Sequence, residues 1–311
     1  MLQIIIFSFN RALQLNTLLC SMAHRIEPKD YTIDILYNVS SDVFAQGYDK
    51  LIEDNKSNGH IRFVKEKTVP KLFALPDIFH ASSKSERKYF LKSLVKKRNK
   101  TNFRGILLDL LKGSNSSNVM FLTDDACFIN QTVISNDILE WINAEPNHRQ
   151  FSLRTGKGMN DEPQGIKSVG NYLEWDYYRY PFFTLWGYPF SVDAHIYNKK
   201  AVIDLLGSCY FDNPNTLEGY ASLGAQKKNL FGTGRAFTET RLLSFPINMV
   251  QSVASNESLN ISVEQLNDYY LQGYSLEYPL PEAITTFQNY PDSLMLSHQH
   301  KEKIILNTKQ S

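Results

Sequence analysis

Two adjacent aspartates, Asp124 and Asp125, close the apolar run of "VMFLTDDACFI" (119–129). Like charges side by side at the end of a buried strand repel, and burial alone would drive one of them to its neutral form. A divalent cation removes that conflict. Mg2+ and Mn2+ take hard oxygen ligands and are commonly held by one or two carboxylates together with substrate phosphates. The pair therefore reads as a metal bridging a diphosphate. The plainer reading of the same two residues is a turn or a helix cap.

Stepping outward, the first 130 residues alternate between strand and helix patterns. "QIIIFSF" (3–9) is a continuous β-branched and aromatic run, as expected of a strand buried on both faces. "RALQLNTLLCSMAH" (11–24) has Leu15, Leu18, Leu19 and Met22 at helical spacing. Strands follow at 31–39 and 60–66 with a helix at 43–55 between them. Helical material runs on to Lys112, and a turn at 113–118 leads into the strand that ends in the aspartates. This alternation predicts an α/β fold with a mostly parallel sheet flanked by helices. Ligands in such sheets lie at the carboxyl ends of the strands, so "SFNR" and "TDD" are expected to meet although far apart in sequence. Further on, "RQFSLRTG" (149–156) reads as a strand, 199–206 as a helix, "PINMVQSV" (246–253) as a short strand and 262–273 as a helix. Residues 169–198 hold two of the three tryptophans and many tyrosines and phenylalanines. No repeat and no long linker appears. One domain is expected over 1–250, in two halves (1–130 and 131–250), with a C-terminal extension over 251–311 packed on it.

The opening "IIIFSFNRALQLNTLLCSM" resembles that of glycosyltransferases with the A-type (GT-A) fold, in which the first strand ends in a polar loop that touches the nucleotide. "VMFLTDDACFI" resembles their Asp-x-Asp segment, with Thr123 in place of the first acid. "WGYPFSVDAHIYNKKAVIDLL" and "FDNPNTLEGYAS" are similar to the second half of bacterial sugar transferases. The resemblance spans roughly residues 1–250, makes 1–130 the nucleotide-sugar half and 131–250 the acceptor half, and implies transfer of a sugar from a nucleotide-sugar donor, a UDP-sugar in the first instance, to a glycan or lipid-linked glycan, as in surface polysaccharide synthesis. It implies Mn2+ or Mg2+ on Asp125, with Asp124 against the donor sugar or ribose. Phe9, Asn10 and Arg11 become the donor loop, Arg11 reaching phosphate through its fork of donors. Asn38 and Ser40 follow the second strand toward base or ribose, and Arg104 is a further donor candidate. In an inverting enzyme a carboxylate must take the acceptor's proton. Glu218, near the helix start marked by Pro214, is preferred over Asp193, which would then bond sugar hydroxyls. Trp186, Tyr188 and Phe190 offer an apolar platform for a sugar ring, or are core. His195, two residues from Asp193, is an acceptor contact or a core histidine. In some members a C-terminal histidine completes the metal site, a role open to His298 or His300, or else the tail is merely polar.

The composition sets limits. Across 311 residues the net charge is +1 and the hydrophobic share 42%, so no global field draws the chain to nucleic acid. The segment 84–100 is locally basic with apolar residues interleaved. It is either a solvated helix face or a contact for an anionic partner such as a membrane surface. Three scattered cysteines give neither a disulfide framework nor a zinc pattern, which points to a reducing cytoplasm, free or beside the membrane's inner face. The start lacks a basic n-region, and no apolar run is long enough for a membrane span. A nucleotidyltransferase would want a Gly-rich loop after the first strand, and an aspartyl-phosphate phosphatase an Asp-x-Asp-x-Thr there; both are missing. The main alternative is a carbohydrate- or nucleotide-binding protein that keeps the fold without the chemistry.

Overall fold

A computed structural model describes residues 1–70, 78–81, 83–95, 100–248, 261–298 and 302–308. The β-branched run at the start forms the strand Leu2–Phe9, the hub of a nine-stranded sheet. Tyr31–Asn38 and then Ile61–Lys65 pair on one side of it, and Asn118–Thr123 on the other, all parallel. Beyond Asn118–Thr123 the order continues with His195–Asn198, Arg149–Ser152, Thr233–Phe237, Tyr172–Asp176 and Lys167–Val169. Only His195–Asn198 and Tyr172–Asp176 oppose the common direction. The fold is mixed α/β with a large central sheet flanked by helices.

The reversal of His195–Asn198 matters for function. Because this strand runs against its neighbours, its amino end lies beside the carboxyl ends of Leu2–Phe9, Asn118–Thr123 and Arg149–Ser152. Four loops thus converge on one sheet edge: Phe9–Arg11, Thr123–Asp125, the turn after Ser152, and the approach to His195.

Helix Ala12–Arg25 covers one sheet face with Leu13, Leu15, Leu18, Leu19 and Met22, at the predicted helical spacing. Phe103–Gly113, Lys199–Gly207 and Pro214–Lys228 cover the other, burying Leu107, Leu111, Val202, Leu205, Leu217 and Ala221. The strand expected at 246–253 is displaced. Its described part, 246–248, is not in a strand. Leu242–Ser244 instead pairs antiparallel with Ala126–Phe128, just beyond the aspartates; residues 249–253 lie outside the described residues. Helix Val263–Leu271 and the three-stranded sheet of Tyr274–Glu277, Ser293–His298 and Glu302–Asn307 pack on the first helix. Ile261, Leu266, Tyr270, Leu276, Leu294 and Leu296 share one core with Ile4, Ile6, Leu15 and Leu18. No described helix is long and apolar enough to cross a membrane.

Candidate active site

The aspartate pair divides by burial. Asp124 is turned inward, with its side chain 5% exposed against 16% for Asp125. Its carboxylate accepts from the Ser8 hydroxyl (2.8 Å), the Phe9 amide (3.0 Å) and the Arg11 guanidinium (3.0 Å). Burial raises its pKa above the ordinary carboxylate range; Arg11 opposes that and Asp125 adds to it. Asp124 therefore ties two strand ends together, with its carboxylate oxygens taken up by Ser8, Phe9 and Arg11 rather than turned to the opening where a donor contact was expected.

Arg11, expected to reach phosphate, is engaged inside the protein in the same way. It is buried, and its donors go to Asp124, to Asp125 (3.3 Å), and through Nε and Nη2 to the side chain and backbone carbonyls of Asn248. This is a cation held between two carboxylates, not a fork presented to a phosphate. Asn10 has a left-handed backbone (φ 59°) and is also buried. Its amide donates to the Ser40 hydroxyl (2.8 Å) and its carbonyl accepts from the Ser40 amide (2.9 Å). Asn10 thus clamps the loop after the second strand. Phe9 and Asn38 remain half-buried at the same strand ends, and Ser40 is exposed there.

Asp125 is joined to the far half of the sheet by one hydroxyl. Thr123 Oγ1 lies 2.7 Å from Asp125 Oδ1 and 3.0 Å from Asp193 Oδ1, and with one hydrogen it donates to either. The other Asp193 oxygen accepts from Arg154 (3.2 Å). Behind Asp193, Glu218 Oε1 accepts from the Ser191 hydroxyl (2.7 Å) and the Val192 amide (3.1 Å), and Ser191 Oγ accepts from the Asp193 amide (3.1 Å). Glu218 is positioned by Asn213 and Thr216, which form a capping box ahead of Pro214. Burial raises the Asp193 pKa to about 7, with Glu218 and Asp125 adding to the rise and Arg154 and Thr123 opposing it.

The charge balance is informative. Asp124, Asp125, Asp193 and Glu218 face the two guanidiniums of Arg11 and Arg154. Ionised together, the four acids exceed the two cations by the charge of one divalent ion. Asp125 is the more open member of the pair, and a single carboxylate plus substrate phosphates is a normal shell for Mg2+. The residues thus suit a metal on Asp125. Among the described residues no group of three His, Cys, Asp or Glu is arranged to hold a metal without such a substrate.

Several other expected contacts lie elsewhere. His298 pairs with Tyr274 and packs its ring on that tyrosine and on Gly273, so it does not join Asp125; His300 is outside the described residues. Arg104 caps the end of helix Lys199–Gly207 through the Leu206, Gly207 and Cys209 carbonyls. Trp186 is buried against Trp175 and Tyr177, and Phe190 stacks on Tyr197; both are core. His195 is fully buried between Ser152 Oγ (3.0 Å) and Gln150 Oε1 (2.8 Å). Burial and Arg154 lower its pKa, so the ring is neutral and structural. Tyr188 is the aromatic that stays at the site: it is half-buried, and Glu218 adds to the burial that raises its phenol. Phe182 and Phe183 flank it at 5.5 and 5.8 Å, Phe183 being 74% exposed.

Sequence reading missed three contributors. Arg154 follows a strand end, where the rule that found "TDD" would have pointed. Tyr278 and Phe287 come from the C-terminal extension and carry no local signal. Tyr278 stacks on Phe245 (4.0 Å) with its buried hydroxyl unpartnered among the described residues, and the Phe245 amide donates to the Asp125 carbonyl (2.7 Å). Phe287 lies under the Arg154 guanidinium at 4.6 Å.

No protein-family model and no curated protein matches the chain. Solved structures do. S. aureus TarS 1–349 is similar at 12% identity, with a TM-score of 0.46, over 78% of this chain and 60% of that one. The mannosyltransferase PcManGT from Pyrobaculum calidifontis, solved with GDP-Man and Mn2+, gives 14% identity and 0.39 over 76% and 54%. Mouse xyloside xylosyltransferase 1 gives 10% and 0.36 over 73% and 83%. This chain spans only about three fifths of the TarS fragment. Identity is low and these TM-scores are under 0.5.

Proposed function

We propose that this chain is a glycosyltransferase that moves a sugar from a nucleoside-diphosphate donor, a UDP-sugar in the first instance, to a hydroxyl of a glycan or lipid-linked glycan, in surface polysaccharide synthesis. One observation carries the reading. A carboxylate open to a cation, Asp125, and a carboxylate whose pKa is raised to about 7, Asp193, share one bridging hydroxyl at the carboxyl edge of a mostly parallel sheet. The first suits a diphosphate leaving group and the second suits proton removal near neutral pH.

Mn2+ or Mg2+ on Asp125, when bound, would neutralise charge developing on the departing diphosphate. Asp193 takes the proton of the acceptor hydroxyl as that oxygen attacks the anomeric carbon, which makes the reaction inverting. Arg154 fixes the second Asp193 oxygen and so orients the first. Asp193 rather than the expected Glu218 is taken as base because of its raised pKa, with Glu218 Oε1 accepting from Ser191 and Val192 behind it. Glu218 serves as a positioning residue whose charge helps raise Asp193. Tyr188 with Phe182 and Phe183 gives the acceptor sugar an apolar edge. Phe183 holds a left-handed backbone (φ 73°) while its ring faces solvent, a strained exposure of the kind found at ligand contacts.

Thermal unfolding against UDP, GDP, CDP and dTDP, each with and without Mn2+, tests the proposal. A true ligand at a hundredfold excess over its dissociation constant stabilises by about 2.7 kcal/mol. One nucleotide should raise the midpoint, more so with Mn2+. No shift with any of them would reject the reading in favour of a protein that keeps the fold for another use.

A further inference from the structure

Helix Lys84–Val95 distributes its charge unlike the protein's other surface helices. Its single acid, Glu86, is buried and accepts from the Ser83 amide (2.9 Å). Phe90 is buried beside Ala81 and Tyr210, with Tyr89 and Leu94 partly buried around them. What remains outside is Lys84, Arg87, Lys88 and Lys92 around two apolar side chains, Leu91 and Val95, which are 53% and 85% exposed. Positions 84, 88, 91 and 95 line up on one helical stripe. Phe79, just before the helix, is 88% exposed. Elsewhere two helical lysines pair with acids, Lys50–Asp54 (2.6 Å) and Lys200–Asp204 (2.7 Å), and Lys228 bonds the Ser208 hydroxyl (2.7 Å). Among the described residues no ion pair reaches Lys84, Lys88 or Lys92. In a chain of net charge +1 this is a local concentration of cations.

A merely solvated face has no use for exposed Leu, Val and Phe among its lysines. A nucleic acid or an acidic protein surface would engage the cations and leave the apolar groups in water. An anionic bilayer surface satisfies both, since apolar side chains enter the acyl boundary while ammonium groups meet lipid phosphates. We propose that this face docks the protein on a membrane surface rich in anionic lipid.

The docked face has a fixed relation to the site. The Tyr89 hydroxyl donates to Asp212 (3.0 Å), and its ring lies 6.1 Å from that of Tyr220. Asn213 caps the helix that carries both Glu218 and Tyr220. The membrane therefore lies one helix layer from the Glu218–Asp193 side, which suits a lipid-linked acceptor. That consequence, unlike the docking itself, rests on the transfer reading.

The test is co-sedimentation of the full chain with phosphatidylcholine vesicles and with vesicles that also contain phosphatidylglycerol, without nucleotide or sugar. Docking and transfer can then fail separately. Two variants are compared, Lys84→Glu/Lys88→Glu/Lys92→Glu and Leu91→Ser/Val95→Ser; every changed side chain is exposed, and an unchanged unfolding midpoint verifies the fold. If the charge reversal disturbs folding, Lys→Gln at the same positions replaces it. The protein should pellet with phosphatidylglycerol vesicles and stay in solution with phosphatidylcholine alone. Affinity should fall at least about a hundredfold on charge reversal, since loss of each lysine alone costs about fivefold, and about tenfold with the two serines. A wild-type protein that ignores phosphatidylglycerol vesicles overturns the proposal, as does a charge-reversed variant that binds them undiminished. Full binding by the serine variant also overturns it, because it would reassign the face to a purely electrostatic partner.

Discussion

Adjacent aspartates that look equivalent in sequence do opposite work here. Asp124 is the main partner of a buried guanidinium, and Asp125, which pairs with it more loosely, faces the opening. Asp124→Ala leaves Arg11 buried without its main partner, and breaking such a pair costs about 3–5 kcal/mol. Asp125→Ala should cost little stability but abolish transfer and the metal-dependent part of nucleotide binding. Urea unfolding beside an activity assay separates the two; equal destabilisation by both would refute the division. Asp193 gives a pH test. Its folded pKa of about 7 exceeds the ordinary carboxylate value of about 4. The folded state therefore binds the extra proton, and this stabilising contribution is complete below about pH 4 and lost as pH rises through about 7. Asp193→Asn should flatten that decline in unfolding midpoint. The kcat/KM of the wild type should climb through about pH 7 as the base ionises, and a pH-independent rate would remove Asp193 from that role. The sequence made Asp124 and Asp125 conspicuous, but which one faces inward depends on Ser8, Arg11 and Asn248, which only the folded chain brings together.

Periodicity is a property of single elements, and elements were where the sequence was most legible. "QIIIFSF" could only be a doubly buried strand, and Leu15, Leu18, Leu19 and Met22 could only face one way on a helix. The tryptophan- and tyrosine-rich stretch 169–198 has no such period, so composition alone left core and platform open. Packing settled it: Trp186 meets Trp175 at 5.1 Å, while Tyr188 two residues on reaches the site. Trp186→Ala should accordingly destabilise by about 3–5 kcal/mol, measured by denaturant unfolding. A variant of unchanged stability with weakened acceptor binding would restore the platform. The direction of His195–Asn198 was equally unreadable from its own residues, yet that reversal is what brings Asp193 beside Asp125.

The whole molecule closes late on itself. The extension supplies Tyr278 and Phe287 to the site and Leu266, Leu276 and Leu294 to the first helix's core, none of it signalled locally, because the leucines' partners in the first helix lie more than 200 residues away and Arg154 lies more than 100 residues from Phe287. A chain stopped after residue 260 should lose cooperative unfolding and fall into the insoluble fraction on expression; a soluble, cooperatively unfolding fragment would show that the extension is dispensable. Thr17 donates to the Leu276 carbonyl (3.3 Å), and Leu15 and Leu18 share their core with Leu294 and Leu296. During synthesis the amino-terminal helix leaves the ribosome with the part of its apolar surface that meets the extension uncovered until residues 261–296 have also emerged. At about 5–20 residues per second, that interval lasts on the order of ten seconds or more. Throughout it the nascent chain is a natural client for chaperones that hold exposed apolar segments.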